Sequence, residues 1–247
     1  KEDLGASLQE SFPCAYFGDG RISSMEYLFA NATCANSFHE FLAQGYRRLG
    51  SIFYRNVCDK CTDCKPLRLE IDSFRPSRSQ RRTLRDNLDI RLEILSPAVI
   101  TIDKIELYQR YLDSKHSGTG EKEIRDYETV LSNIHYGYAH TLEMDYYYGD
   151  KLIGVGVIDE AEDSLSSNYF YYDTDYLDSR LGVFSILEEI FLARVMKKKY
   201  YYLGFYLEKT AKMSYKKFFR PNQIFEKGQW KEFLRKLPGN NRNCSGG

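Results

Sequence analysis

Three cysteines stand three residues apart in Tyr54-Arg-Asn-Val-Cys58-Asp-Lys-Cys61-Thr-Asp-Cys64-Lys-Pro-Leu-Arg68. Thiolates at that spacing on a tight turn can converge on one soft ion, and structural zinc takes four such ligands. Cys14 is the candidate for the fourth and Cys34 the second choice. An iron–sulfur cluster fits the same spacing, a tight triplet plus one remote cysteine, and so do three reduced thiols with no metal. Cations form three further groups. Arg78, Arg81, Arg82 and Arg85 fall within one short segment, where their repulsion is relieved if an acidic ligand or an RNA phosphate sits among them. Lys209, Lys212, Lys216 and Lys217 follow an aromatic strand broken at Gly204, placed to hold an anion or to form a solvated helix face. Arg47 and Arg48 are adjacent between Gly45 and Gly50; they can clamp phosphate or carboxylate with forked donors, or stand as solvated charge.

Periodicity gives the elements that must position these groups. Residues 1–37 read as irregular; Ser37 caps a short helix that Gly45 ends. Leu67, Leu69 and Ile71 alternate with polar residues, which is a half-buried strand, and Ser77 or Ser79 caps the arginine-rich helix. After Asn87 the order is strand 88–95, helices near 103–115 and 122–133, then strands 139–148, 152–159 and 165–172. An apolar helix over 181–196, a strand over 200–204 and a lysine-bearing helix close the series. That order predicts an α+β protein: a GNAT-like acyltransferase lobe over 96–237, a smaller N-terminal Cys-containing lobe over 1–95, and a flexible tail over 238–247. The turn before the apolar helix carries one glycine, Gly182. This disfavours the glycine-rich pyrophosphate cradle of a coenzyme A enzyme.

The formal net charge is +0 over 247 residues, so no overall field attracts nucleic acid, yet the charge is segregated. Residues 103–163 hold 14 acidic and 6 basic groups, whereas 194–220 hold 9 basic groups against Glu208 alone. Such asymmetry fits one face built for a polyanion, or two runs that neutralise each other. Six cysteines in a chain of this length do not make a disulfide scaffold and point to a reducing compartment. No apolar run reaches the roughly 18 residues of a membrane span. The start, Lys1-Glu-Asp-Leu, has neither signal character nor initiator Met, so a processed or trimmed, cytoplasmic protein is expected.

Taken together, the motifs resemble the aminoacyl-tRNA-protein transferases of the N-degron pathway, above all the bacterial aspartate/glutamate leucyltransferase branch, which is similar to the eukaryotic arginyltransferases. The matching pieces are Cys14-Ala-Tyr16, Gly45-Tyr-Arg-Arg48, Cys58, Cys61 and Cys64 with Leu67-Arg68, Phe74 with Pro76 to Arg82, Asn87, Leu165-Ser-Ser167 with Tyr169 to Asp173, Leu181-Gly182, and Tyr202-Leu-Gly204 through Tyr215-Lys216. They span almost the whole chain in the family's order. Leu49 stands where the family usually has Ser, as does Arg180.

The resemblance implies transfer of an amino acid, leucine favoured, from aminoacyl-tRNA to the N-terminal Asp or Glu of proteins, marking them for degradation. No cofactor is required for transfer; a structural zinc or iron–sulfur cluster is the expectation at Cys14, Cys58, Cys61 and Cys64. The tRNA ester is already activated, so positioning should dominate. On this reading Asp173 orients or deprotonates the amine, Tyr171 donates to the oxyanion or leaving oxygen, and Arg78, Arg81 and Arg82 grip the acidic substrate. Arg47, Arg48, Lys209, Lys212, Lys216 and Lys217 take the tRNA phosphates. The alternatives are an arginyl-tRNA-protein transferase, a non-catalytic metal-stapled RNA-binding module, and a coenzyme-A N-acetyltransferase.

Overall fold

Period-two alternation gathers the strands of this computed structural model into two sheets; residues 6–29, 31, 36–116, 126–137 and 140–233 are described. The smaller sheet is antiparallel, with order β1-β2-β4-β3: β1 (Ser7–Pro13), β2 (Ile22–Phe29), β3 (Arg47–Leu49) and β4 (Ile52–Asn56). Helix α1 (Phe38–Ala43) packs Phe38, Phe41 and Leu42 on Phe53 of β4. β1 and β2 fall where the sequence reads as irregular. Six of the seven β1 residues are exposed, so no apolar period marks it, and pairing with β2 holds it in place.

The larger sheet takes in β5 (Lys65–Glu70), then, after α2 (Arg78–Asp86), β6 (Ile90–Leu95). The division drawn at residue 95 therefore runs through this sheet and does not separate two sets of strands. Helices α3 (Ile102–His116) and α4 (Tyr127–His135) follow, then hairpin-linked β7 (His140–Tyr148), β8 (Lys151–Glu160) and β9 (Ser164–Tyr172). A 3-10 turn (Thr174–Ser179) leads into α5 (Leu181–Val195) and β10 (Tyr200–Tyr206). The lysine-bearing segment expected as a helix is one turn, α6 (Ala211–Ser214), and a 3-10 turn (Tyr215–Phe218), after which β11 (Gln223–Glu226) and β12 (Gln229–Glu232) close the chain. The strand order is β12-β11-β5-β10-β9-β8-β7-β6.

Alternation along β7 and β9 sorts side chains between two covers. Met144, Tyr146, Phe170 and Tyr172 face the core under α5, while Val155, Val157 and Tyr171 face Leu107 of α3 and Leu131 of α4. Ser77 accepts from the Gln80 backbone N–H and Gln80 returns the bond, a capping box that starts α2 where the sequence places it. Cys34, Cys244 and the tail over 238–247 lie outside the described residues.

Candidate active site

The site begins with a mismatch between two strands. β9 and β10 are parallel neighbours at their starts alone, Tyr200 to Tyr202 against Ser164 to Ser166. Further on, β9 skips Asn168 in its register with β8, and β10 skips Leu203 in its register with β5. Each bulge leaves backbone groups without a ladder partner, and the strand ends part around a cavity of about 550 Å³.

Two cations satisfy the freed carbonyls. Arg47 Nη2 donates to Ser167 O (2.6 Å) and Asn168 O (3.0 Å), and Lys216 Nζ donates to Leu203 O (2.7 Å). Gly204, at φ +79°, is required here twice over: the backbone is left-handed, and a Cβ would overlap the Arg47 guanidinium. Arg47 Nη1 is buried with no hydrogen-bond partner. Burial and the neighbouring Arg47 push the Lys216 ammonium down to about 7, against the pull of Glu189.

Behind the cleft, Glu189 of α5 is fully buried. Tyr201 donates its hydroxyl to Glu189 Oε2 (2.7 Å), and Ser185 to Oε1 (3.0 Å). Burial lifts this carboxyl to about 7, with the hydroxyls of Tyr201, Ser185 and Ser167 and the charge of Lys216 opposing. The walls are apolar where Leu181, Val183, Ile186, Leu203 and Met213 meet Tyr172 and Tyr215, and cationic at Arg47, Arg180, Lys212 and Lys216. No Asp or Glu is among the described lining residues. Arg180, left-handed at φ 50°, opens α5 and donates to Ser79 Oγ (3.2 Å) and Thr83 Oγ1 (3.3 Å) of α2.

Of the catalytic, substrate-binding and tRNA-binding residues expected from sequence, Arg47, Lys212 and Lys216 line this cleft, and the rest do not. Arg48 is buried, 2 % exposed; it pairs with Asp159 (2.7 Å) and donates to the carbonyls of Ile134 and Tyr136, so it cannot reach a tRNA phosphate. Arg78, Arg81 and Arg82 are exposed on α2, and Arg81 turns back to Pro76 O. Lys209 lies 3.4 Å from Asp63, and Lys217 rests near the Phe218 ring. Asp173 caps the 3-10 turn and pairs with Lys151 (2.9 Å). Burial opposes its charge, but Lys151 and the Asp175 N–H hold it below the usual carboxylate range. Tyr171 is buried under α3, its hydroxyl 3.4 Å from His135 Nε2. The expected acid and donor are thus structural groups on or beyond the opposite face.

Cys14, Cys58, Cys61 and Cys64 line one cavity of about 360 Å³, all as free thiols. Burial and the other three thiols push Cys64 up to about 12. Arg21 Nη1 lies 3.4 Å from Cys61 Sγ, and the Ser24 N–H donates to Cys58 Sγ. The donor number and type suit a soft ion, but among the described residues no three His, Cys, Asp or Glu groups are drawn together as a metal-holding set.

The family profile described as "Arginine-tRNA-protein transferase, N terminus" matches residues 12–82, and that for its C terminus matches residues 103–226. An "Aspartate/glutamate leucyltransferase" of Shewanella putrefaciens is 34% identical over 93% of this chain and 96% of its own length. That of Leptospira interrogans is 35% identical over 86% of this chain and 83% of its own. Among solved structures, the C-terminal domain of a putative lysylphosphatidylglycerol synthetase from Agrobacterium fabrum aligns with 68% of this chain and 50% of its own, at 13% identity and a TM-score of 0.45.

Proposed function

This chain belongs to the arginine-tRNA-protein transferase family and is an aminoacyltransferase acting on aminoacyl-tRNA and protein; on that premise we propose that its β9–β10 cleft joins leucine to an N-terminal Asp or Glu. The observation that carries this reading is the composition of the cleft, with apolar walls, four cations and no carboxylate among the described lining residues. A leucyl side chain is compatible with such walls, whereas an arginyl guanidinium would be buried without a counter-charge.

The cations then have separate anions to meet. Lys212, exposed at the rim, and Arg180 take phosphates of the tRNA end. Arg47 and Lys216, bonded to carbonyls of the parted β9 and β10 ends, supply positive charge to the acidic side chain of the acceptor and to the oxyanion formed at the ester carbon. The attacking α-amine, with a pKa of about 7.7 to 8.0, is partly neutral near pH 7, so holding it against the ester is the main work. The β9–α5–β10 crossover with parted strand ends supports an acyl-transfer lobe of the acetyltransferase (GNAT) type. Marking of the product for degradation follows from the family. Free thiols fit a cytoplasmic setting. The proposal extends to a structural zinc or iron–sulfur cluster held by the four cysteines, supported by their sharing one cavity, with no step routed through it; elemental analysis of purified protein tests it.

Peptides beginning with Asp, Glu, Ala or Lys, offered with labelled Leu-tRNA, Arg-tRNA or acetyl coenzyme A, test the function. Leucine should reach the Asp and Glu peptides alone. Labelling from acetyl coenzyme A, preference for Arg-tRNA, or no labelling would overturn it.

A further inference from the structure

We propose that Glu189 receives, through the serine hydroxyls lining the cleft, the proton released by the attacking α-amine, and returns it to the departing ribose oxygen. The proposal rests on the reading of the cleft given above and deepens it by naming the proton path. Its basis is geometric. Glu189 is fully buried, yet Ser185, bonded to its Oε1 at 3.0 Å, lines the cleft. Ser167, a second hydroxyl partner of the same carboxyl, is half-buried and also lines the cleft. One hydroxyl therefore separates the carboxyl from the space where the substrates meet.

A carboxyl kept only for stability would be expected to hold a cation, as Asp159 holds Arg48. Glu189 has no ion pair within 4 Å among the described residues; its bonded partners are hydroxyls that can pass protons. The groups facing it are Tyr146 from β7, Tyr201 from β10, Ser167 from β9, and Tyr215 and Lys216 from the turn after α6, with Glu188 beside it on α5. Gly156 of β8 lies against Oε1, which would stand in ordinary contact, 3.5 Å, from a Cβ there. A carboxyl titrating near neutrality is matched to taking and returning a proton at that pH.

The steps balance. The amine lone pair forms the C–N bond at the ester carbon, and the carbonyl π pair moves onto oxygen. The nitrogen proton passes to a serine Oγ as the serine proton passes to Glu189. The carbonyl then re-forms, the bond to the ribose oxygen breaks, and the reversed path protonates that oxygen. The products are a new peptide bond and a free tRNA hydroxyl, and Glu189 is again ionised.

Single-turnover leucine transfer to an Asp peptide, followed across about pH 5.5 to 9, tests the path, since general acid–base assistance accounts for roughly 10²- to 10⁴-fold in rate. Glu189→Gln should lose at least about 10²-fold and the inflection near neutrality, leaving the amine's own. The Ser185→Ala, Ser167→Ala double variant should be similarly slow. Tyr201→Phe removes a donor from the carboxylate and should move the inflection to higher pH, an effect that a packing role would not produce. If Glu189→Gln does not fold, the Tyr201→Phe shift decides. Wild-type rates in Glu189→Gln, or an unmoved inflection in Tyr201→Phe, overturn the path alone. Absence of transfer by the wild type overturns both the path and the function.

Discussion

The two faces of the eight-stranded sheet both bury charge, and they treat it in opposite ways. Under α3 and α4, Lys104 lies against Glu143 and Asp145 (2.9 Å), and His135 Nδ1 lies 2.7 Å from Glu143. Burial works against Glu143, but His135 and Lys104 hold its pKa down; Asp145, squeezed by burial and by Glu143, rises to about 6. Charge there is met by opposite charge. Under α5, Glu189 meets hydroxyls, while Arg47 and Lys216 meet backbone carbonyls. Glu189 and Lys216 are both drawn to about 7. Burial by itself does not mark a working site; the kind of partner does, because burial drives an acid or base that lacks a bonded counter-charge towards its neutral form.

Breaking the paired face should cost the most stability. Lys104→Met leaves two buried acids without their cation and should lower unfolding free energy by about 3–5 kcal/mol, measured by urea denaturation. Transfer by the remaining folded protein should be near normal.

The open face should appear as a pH slope. Glu189 has a folded pKa raised to about 7 from its ordinary 4.5. Its contribution is therefore fully present below the unfolded value and is lost as pH rises through about 7, on the order of 3 kcal/mol. Urea midpoints of wild type and Glu189→Gln should converge or cross in favour of the variant between about pH 5 and 8; parallel curves would contradict this.

Adjacent arginines sharpen the comparison. Arg47→Ala should slow leucine transfer by about 10²-fold while costing roughly 1–2 kcal/mol of stability. Arg48→Ala should reverse the balance, because it strands Asp159. The smallest effect belongs to Asp173→Asn. The amide keeps an oxygen to cap the turn, so only a half-exposed ion pair with Lys151 is lost, which should cost about 0.2–1 kcal/mol, with transfer unchanged by the same peptide assay.

These contrasts also define what was legible in the sequence. From β6 to β10 the elements follow from alternation and tight turns, because apolar period and hydrogen-bond period coincide there. Exposed β1 has no such period, and the stretch after Gly204 has helix-forming residues but is held by Lys216 and Tyr215 turning into the cleft. Residue type could not separate Arg47 from Arg48; β3 register does, sending neighbours to opposite faces. Asp173 and Tyr171 sit at a strand end suited to chemistry, but Tyr171 has the parity of the closed face, and Phe170 and Tyr172 have that of the open one. Glu189 was missed inside an apolar run. The available signal was Ser185 and Glu189, polar residues one helical turn apart on the otherwise apolar buried face of α5.

Gly182 offers the most direct test of the central claim that the parted ends of β9 and β10 enclose the reaction. It lines the cleft, and the nearest atom to a Cβ there is Tyr215 Oη at 3.9 Å, so a side chain can start there without a clash at its Cβ, and Gly182→Phe adds bulk at the cleft wall. Leucine transfer from Leu-tRNA to an Asp peptide by this variant should fall at least about 10²-fold while its thermal midpoint stays close to that of the wild type. Wild-type transfer by a folded Gly182→Phe protein would place the reaction elsewhere.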